Sequence, residues 1–141
     1  MKIQRTVYTQ LLQACPVPPP ETGGILGGRN GIVTTFALDR LGTCGTYSPD
    51  AEKLNLIISD WEKQGIAFLG IFHTHPLGDS ELSIHDRSYV ERIMIAMPSR
   101  ISKLYFPLVF PGDRMLSFAA EEKFNGICIH TDAIKFIWRC D

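Results

Sequence analysis

Residues 70–86, GIFHTHPLGDSELSIHD, place His73 and His75 two apart and Ser83 and Asp86 three apart. Imidazole nitrogens and carboxylate oxygens are the side-chain donors that hold zinc in hydrolytic sites. On an extended segment, side chains at i and i+2 point to the same side, so both imidazoles can converge on one ion. The same residues also suit a plainer arrangement, with one histidine packed, the other solvated, and Ser-x-x-Asp serving as a capping box. Capping would fix the Asp86 carboxylate at the first turn of a helix, aimed back at the loop before it. Two neutral imidazoles and a carboxylate form a three-ligand zinc set with a fourth position left for water, which is the catalytic arrangement. Zinc hydrolysis also needs a general base that does not itself ligate. Glu21 is the candidate, between PPP and GGILGG, although alone it reads as a solvated turn residue.

These residues need elements to hold them. IAFLGIF (66–72) is an apolar run of strand length, as in a strand covered on both faces, and the histidines lie just beyond it. Apolar spacing predicts a helix after Ser83 ending near Pro98 and burying Tyr89, Val90, Ile93, Met94 and Met97. Leu54, Ile57, Ile58 and Trp61 predict another, with Ser48 as N-cap, Pro49 in first position and Gly65 just past its end. Arg29-Asn30-Gly31 between two apolar stretches is a hairpin signal. A short strand or turn and a helix carrying Val7, Leu11 and Leu12 precede Pro16, and PVPPPE reads as extended. KLYFPLVFPGDRMLSFAAEE reads as two strands about Pro-Gly-Asp, with another near GICIH. The expected fold is a single α/β (α+β) domain over residues 1–141, a central mixed β-sheet flanked by helices.

Composition excludes several classes. With 14 Lys and Arg against 15 Asp and Glu, the formal net charge is −1, and no basic stripe marks a nucleic-acid or membrane face. The N-terminal residues resemble neither a signal peptide nor a membrane span, which points to the cytoplasm. Cys15, Cys44, Cys128 and Cys140 contain no CxxC pair and read as free, mostly buried thiols. Asp79 and Glu81 lie in the loop and read as solvated, with contact to zinc or substrate as the alternative, while His85 reads as facing solvent and His130 as structural. The C-terminal AIKFIWRCD is expected to pack on the core, with a partner or dimer interface as the alternative.

Glu21 followed by a Gly-rich strand, then His73-Thr-His75-Pro76, six residues, and Ser83-Ile-His-Asp86 resembles the JAMM (MPN-plus, JAB-domain) metalloproteases. The order of elements is similar over residues 1 to about 120. The resemblance implies a cytidine-deaminase-like, JAB-type architecture and a zinc hydrolase. His73, His75 and Asp86 would bind Zn2+, Glu21 would move the water's proton, and Ser83 would stabilise the oxyanion. Family members commonly cut after the Gly-Gly tail of ubiquitin or a ubiquitin-like protein. The compact chain looks more like the small prokaryotic members, associated with ubiquitin-like sulfur carriers or bacterial ubiquitin-like conjugation. Two alternatives stay open: a zinc hydrolase with another substrate, and a non-catalytic MPN-type binding or scaffold module.

Overall fold

The computed structural model describes residues 1–39, 42–43 and 46–138. The chain runs β1 (Lys2–Gln4), α1 (Arg5–Ala14), β2 (Gly23–Arg29), β3 (Ile32–Asp39), β4 (Gly42–Thr43), β5 (Thr46–Tyr47) and α2 (Ala51–Lys63). It continues through β6 (Ala67–Thr74), α3 (Ile84–Ala96), β7 (Lys103–Tyr105), β8 (Leu108–Phe110), β9 (Arg114–Lys123), β10 (Gly126–Asp132) and β11 (Lys135–Ile137). Nine strands form one mixed sheet in the order β10-β9-β7-β6-β2-β3-β1-β11, with β8 also set between β6 and β9. The expected mixed central sheet with flanking helices is therefore the observed class.

Strand alternation explains how the core divides. In β2, Leu26 packs with Ile3, Val7, Leu11 and Phe72 in one cluster, whereas Ile25 packs with Leu54, Trp61, Ile71 and Val90 in another. Helix α1 thus covers one face, and α2 and α3 cover the other. β6 sits between β2 and the β7–β8 pair, so it is buried on both faces, as its unbroken apolar run requires. The β2–β3 hairpin turns at Asn30 (φ 54°) and Gly31 (φ 73°), the left-handed pair that an Asn-Gly turn supplies.

Several expectations need correction. β6 extends through Thr74, so His73 lies inside the strand and only His75 lies beyond it. The N-cap of α2 is Asp50, whose carboxylate accepts from the Lys53 N–H at 3.3 Å, displacing Ser48 from that role. The proline segment does not run straight but bends over Pro18, Pro19 and Pro20. The strand ahead of Pro-Gly-Asp is split into β7 and β8 at Phe106-Pro107, where proline offers no N–H to a ladder. Cys15 is buried, but Cys128 is exposed on the edge strand β10; Cys44 and Cys140 lie outside the described residues. The C-terminal stretch returns as edge strand β11, parallel to β1. Ile134 packs on the core, and Trp138 remains 75% exposed.

Candidate metal centre

Side-chain alternation along β6 puts His73 on the same face as Ile71, towards α2 and α3. The backbone here is tied on both sides. His75 N–H donates to the Val109 carbonyl at 3.0 Å, and Thr74 N–H donates to the Thr22 carbonyl at 2.8 Å. Thr22 N–H in turn donates to Thr74 Oγ1 at 2.9 Å, which fixes the residue after Glu21 against the histidine strand. Gly23 pairs in register with His73, and a Cβ there would overlap the Phe72 carbonyl oxygen and the Tyr47 ring. The glycine lets Tyr47 lie flat over His73, with ring centroids 5.9 Å apart and planes within 13°.

Helix α3 delivers the carboxylate. Ser83 is its N-cap and forms a full capping box with Asp86: Ser83 N–H donates to Oδ2 at 2.9 Å, and Asp86 N–H donates to Ser83 Oγ at 3.0 Å. The bland and functional readings of Ser-x-x-Asp thus coexist. The capped carboxylate faces both imidazoles, with Oδ1 3.3 Å from His73 Nε2 and Oδ2 3.2 Å from His75 Nε2. The two Nε2 atoms are 3.0 Å apart. Glu21 Oε1 lies 3.9 Å from His75 Nε2, and its Oε2 is buried with no hydrogen-bond partner among the described residues.

Ionisation follows from these contacts. Burial raises the Glu21 carboxyl, a rise that the neighbouring His75 opposes and Asp86 reinforces. Burial lowers His73 despite its contact with Asp86. For His75 burial acts the same way, but Asp86 and the Asp79 carbonyl overcome it and the net shift is upward. Burial would raise Asp86, yet the bonds to His73 and His75 hold it well below the usual carboxylate range.

The donor set fits a tetrahedral cation. Ligands at the zinc distance of about 2.0–2.1 Å sit roughly 3.3 Å from one another on a tetrahedron. The Nε2–Nε2 and Nε2–carboxylate separations of 3.0, 3.2 and 3.3 Å approach that edge. Two acceptor nitrogens this close need a proton or a cation between them. Glu21, His73 and His75 also offer ligand atoms within 4.8 Å of one another, and this group could hold a metal ion. Two overlapping triads therefore share the histidines, one closed by Asp86 and one by Glu21.

All five residues singled out in the sequence, Glu21, His73, His75, Ser83 and Asp86, fall in this one region. Three supporting groups were missed. His75 Nδ1 lies 3.0 Å from the Asp79 carbonyl oxygen, so Asp79 is more than a solvated loop residue. His73 Nδ1 lies 3.0 Å from the Tyr89 hydroxyl. The Tyr47 hydroxyl donates to Asp39 at 3.3 Å. Only the three-residue step from Asp86 to Tyr89, one helical turn, marked any of these in the sequence. The cavity of about 370 Å³ between α2 and α3 includes Ile25, Leu54, Phe68 and Tyr89 in its lining but none of the five site residues, so it lies behind the site.

The fold and site define an α+β domain with a buried His-His-carboxylate group able to hold a metal. The chain belongs to the prokaryotic homologs of the JAB domain, whose family profile matches residues 4–121. Two proteins solved in solution share the fold. One, from Desulfitobacterium hafniense, is 20% identical with a TM-score of 0.64, the match covering 97% of this chain and 94% of that one. The other, from Salinibacter ruber, is 15% identical with a TM-score of 0.61, over 97% and 92% of the two chains. No curated protein matches the chain. No helix among the described residues is long and apolar enough to cross a membrane.

Proposed function

We propose that this chain is a zinc-dependent (iso)peptidase that cleaves after the C-terminal Gly-Gly tail of a ubiquitin-like or sulfur-carrier protein in the cytoplasm. His73, His75 and Asp86 are the ligands, and Glu21 is the general base. The observation that carries this reading is the unpartnered, buried Glu21 Oε2 beside a closed His-His-Asp triangle. Asp86 lies 3.3 Å and 3.2 Å from the two imidazoles, whereas Glu21 Oε1 stands off at 3.9 Å from His75 Nε2, which supports Asp86 as the ligand and Glu21 as the group that handles a proton.

Bound zinc would supply Lewis acidity and a water acidified to about pKa 7. Glu21 would take a proton from an attacking water on its carboxylate and return it to the leaving amine; burial, which raises this carboxyl, suits a group that must both take and return a proton. Ser83 Oγ accepts the Asp86 N–H as a cap, which leaves its hydroxyl hydrogen to donate to the developing oxyanion of the scissile carbonyl. Asp79 and Tyr89 fix the two rings from behind. A tail of two glycines brings no side chain to clash in a narrow approach to the site.

The test is cleavage of a ubiquitin-like protein extended beyond Gly-Gly, run with zinc, with chelator, and with Glu21→Gln. Release of the extension by the zinc-loaded wild type, abolished by chelator and by Glu21→Gln, is expected. A variant as active as wild type would remove Glu21 from the base role.

A further inference from the structure

We infer that Tyr47, tethered by Asp39, is a positioning residue that holds the His73 ring in the orientation from which Nε2 faces the site. The inference rests on the reading above in one respect, that His73 is a ligand. Gly23 is in register with Asp39 on β3 and with His73 on β6, so these three residues form one row across three strands. Side chains directly opposite one another share a face of the sheet. The carboxylate and the imidazole therefore stand on the same side with a bare glycine between them. Strands about 4.8 Å apart put the two ends of this row roughly 10 Å from each other, a gap that one tyrosine side chain can span.

Tyr47 enters that gap from β5. Its hydroxyl donates to Asp39 Oδ2 at 3.3 Å, and its ring lies over His73 with centroids 5.9 Å apart and planes 13° from parallel. A Cβ on Gly23 would sit 2.6 Å from Tyr47 Cζ and 2.7 Å from Cε1, so any larger residue would push the ring out of place. Asp39, Tyr47 and His73 are all fully buried. Asp39 Oδ2 also accepts the Asp50 N–H at 2.8 Å where the chain enters α2, which anchors the tether itself. A histidine ring turns about Cβ–Cγ in a broad torsional well, so a ligand ring needs outside contacts to fix its plane. Tyr89 fixes the edge, with its hydroxyl 3.0 Å from Nδ1 and its ring at 71° to the imidazole. Tyr47 fixes the face, because rotation about Cβ–Cγ would drive the imidazole into the stacked ring.

Two measurements on the full chain test this. Nuclear Overhauser contacts read the ring's orientation in metal-free protein. Wild type should show contacts from His73 to both Tyr47 and Tyr89, and in Tyr47→Leu the contacts to Tyr89 should weaken as the ring turns. Absent His73–Tyr47 contacts in wild type would overturn the inference, and that arm needs no variant. Zinc affinity, read in competition with a chromophoric chelator, should fall about 10–100-fold in Tyr47→Leu. Tyr47→Phe keeps the ring but loses the tether and should show a smaller loss. Leu54→Ala truncates the same core cluster on α2 and should lower Tm with zinc affinity unchanged. Unchanged affinity in folded Tyr47→Phe would overturn the tether, and in folded Tyr47→Leu the positioning role itself. An equal loss in Leu54→Ala would also overturn it, since any lost packing would then suffice. A wild type that takes up no zinc would instead overturn the hydrolase reading, and the metal-free contacts would still decide whether Tyr47 holds the His73 ring.

Discussion

Ser83 and Asp86 hold each other twice, through Ser83 N–H to Oδ2 at 2.9 Å and Asp86 N–H to Ser83 Oγ at 3.0 Å. The second bond uses the hydroxyl as acceptor only, so capping and oxyanion stabilisation do not compete for one proton. Ser83→Ala should cost about 1 kcal/mol of stability from the lost cap, seen as a drop of about 3 °C in Tm. Turnover should fall roughly 10²–10³-fold, as for other single oxyanion donors. Zinc content should hold, since the backbone N–H of residue 83 still orients Asp86. Loss of zinc together with activity would make Ser83 a purely structural residue.

Glu21 is buried with one carboxylate oxygen unpartnered among the described residues, an arrangement that costs stability and that the proposed role as general base would account for. Glu21→Gln should therefore leave zinc uptake intact and raise the Tm of the metal-free protein slightly, while cutting turnover roughly 10²–10⁴-fold. A marked fall in Tm would show that the carboxylate has a structural partner. Calorimetry and metal analysis on one preparation distinguish these outcomes.

The Asp86 carboxyl is held below its ordinary value of 3.8, the bonds from His73 and His75 outweighing the effect of burial. A carboxyl depressed in the folded state lends stability above its unfolded value, and that stability is lost as pH falls through the folded value. Metal-free protein should therefore lose stability steadily as pH is lowered below about 4. Asp86→Asn should flatten this slope. Urea unfolding across pH 2–5 in the presence of chelator measures it; equal slopes in wild type and variant would contradict the assigned contacts.

Asp50 caps α2, which carries none of the proposed ligands. Asp50→Ala should lower stability by about 1 kcal/mol and leave zinc per chain unchanged. A matching loss of zinc would mean that α2 also positions the site.

What could be read from the sequence and what could not separates along physical lines. A continuous apolar run placed β6, and period-3.6 patterns placed α2 and α3, because burial constrains residue type along each element. His73, His75 and Asp86 were legible because these donor groups sit in and just past one strand and in the first turn of the next helix, close in the chain. Tyr47 was not: it reaches His73 across the sheet through the gap left by Gly23, a contact between distant segments. Tyr89 read as an ordinary core residue, since an aromatic ring at helical spacing packs the same way whether or not its hydroxyl has a task. The Asp79 contact is made by a backbone carbonyl, which every residue carries. Ser48 and Asp50 are both good caps, and the chain entering α2 decided between them. The return of β11 to β1 is a parallel pairing between the two ends of the chain, which no local pattern encodes.

The most direct measurement is zinc per chain in protein purified without chelator or affinity metal, beside the double variant His75→Ala/Asp86→Ala. The account predicts about one zinc in the wild type and almost none in the variant. A folded wild type that takes up no zinc even when it is added back would contradict it, and would leave His73, His75 and Asp86 as a strand end and a helix cap.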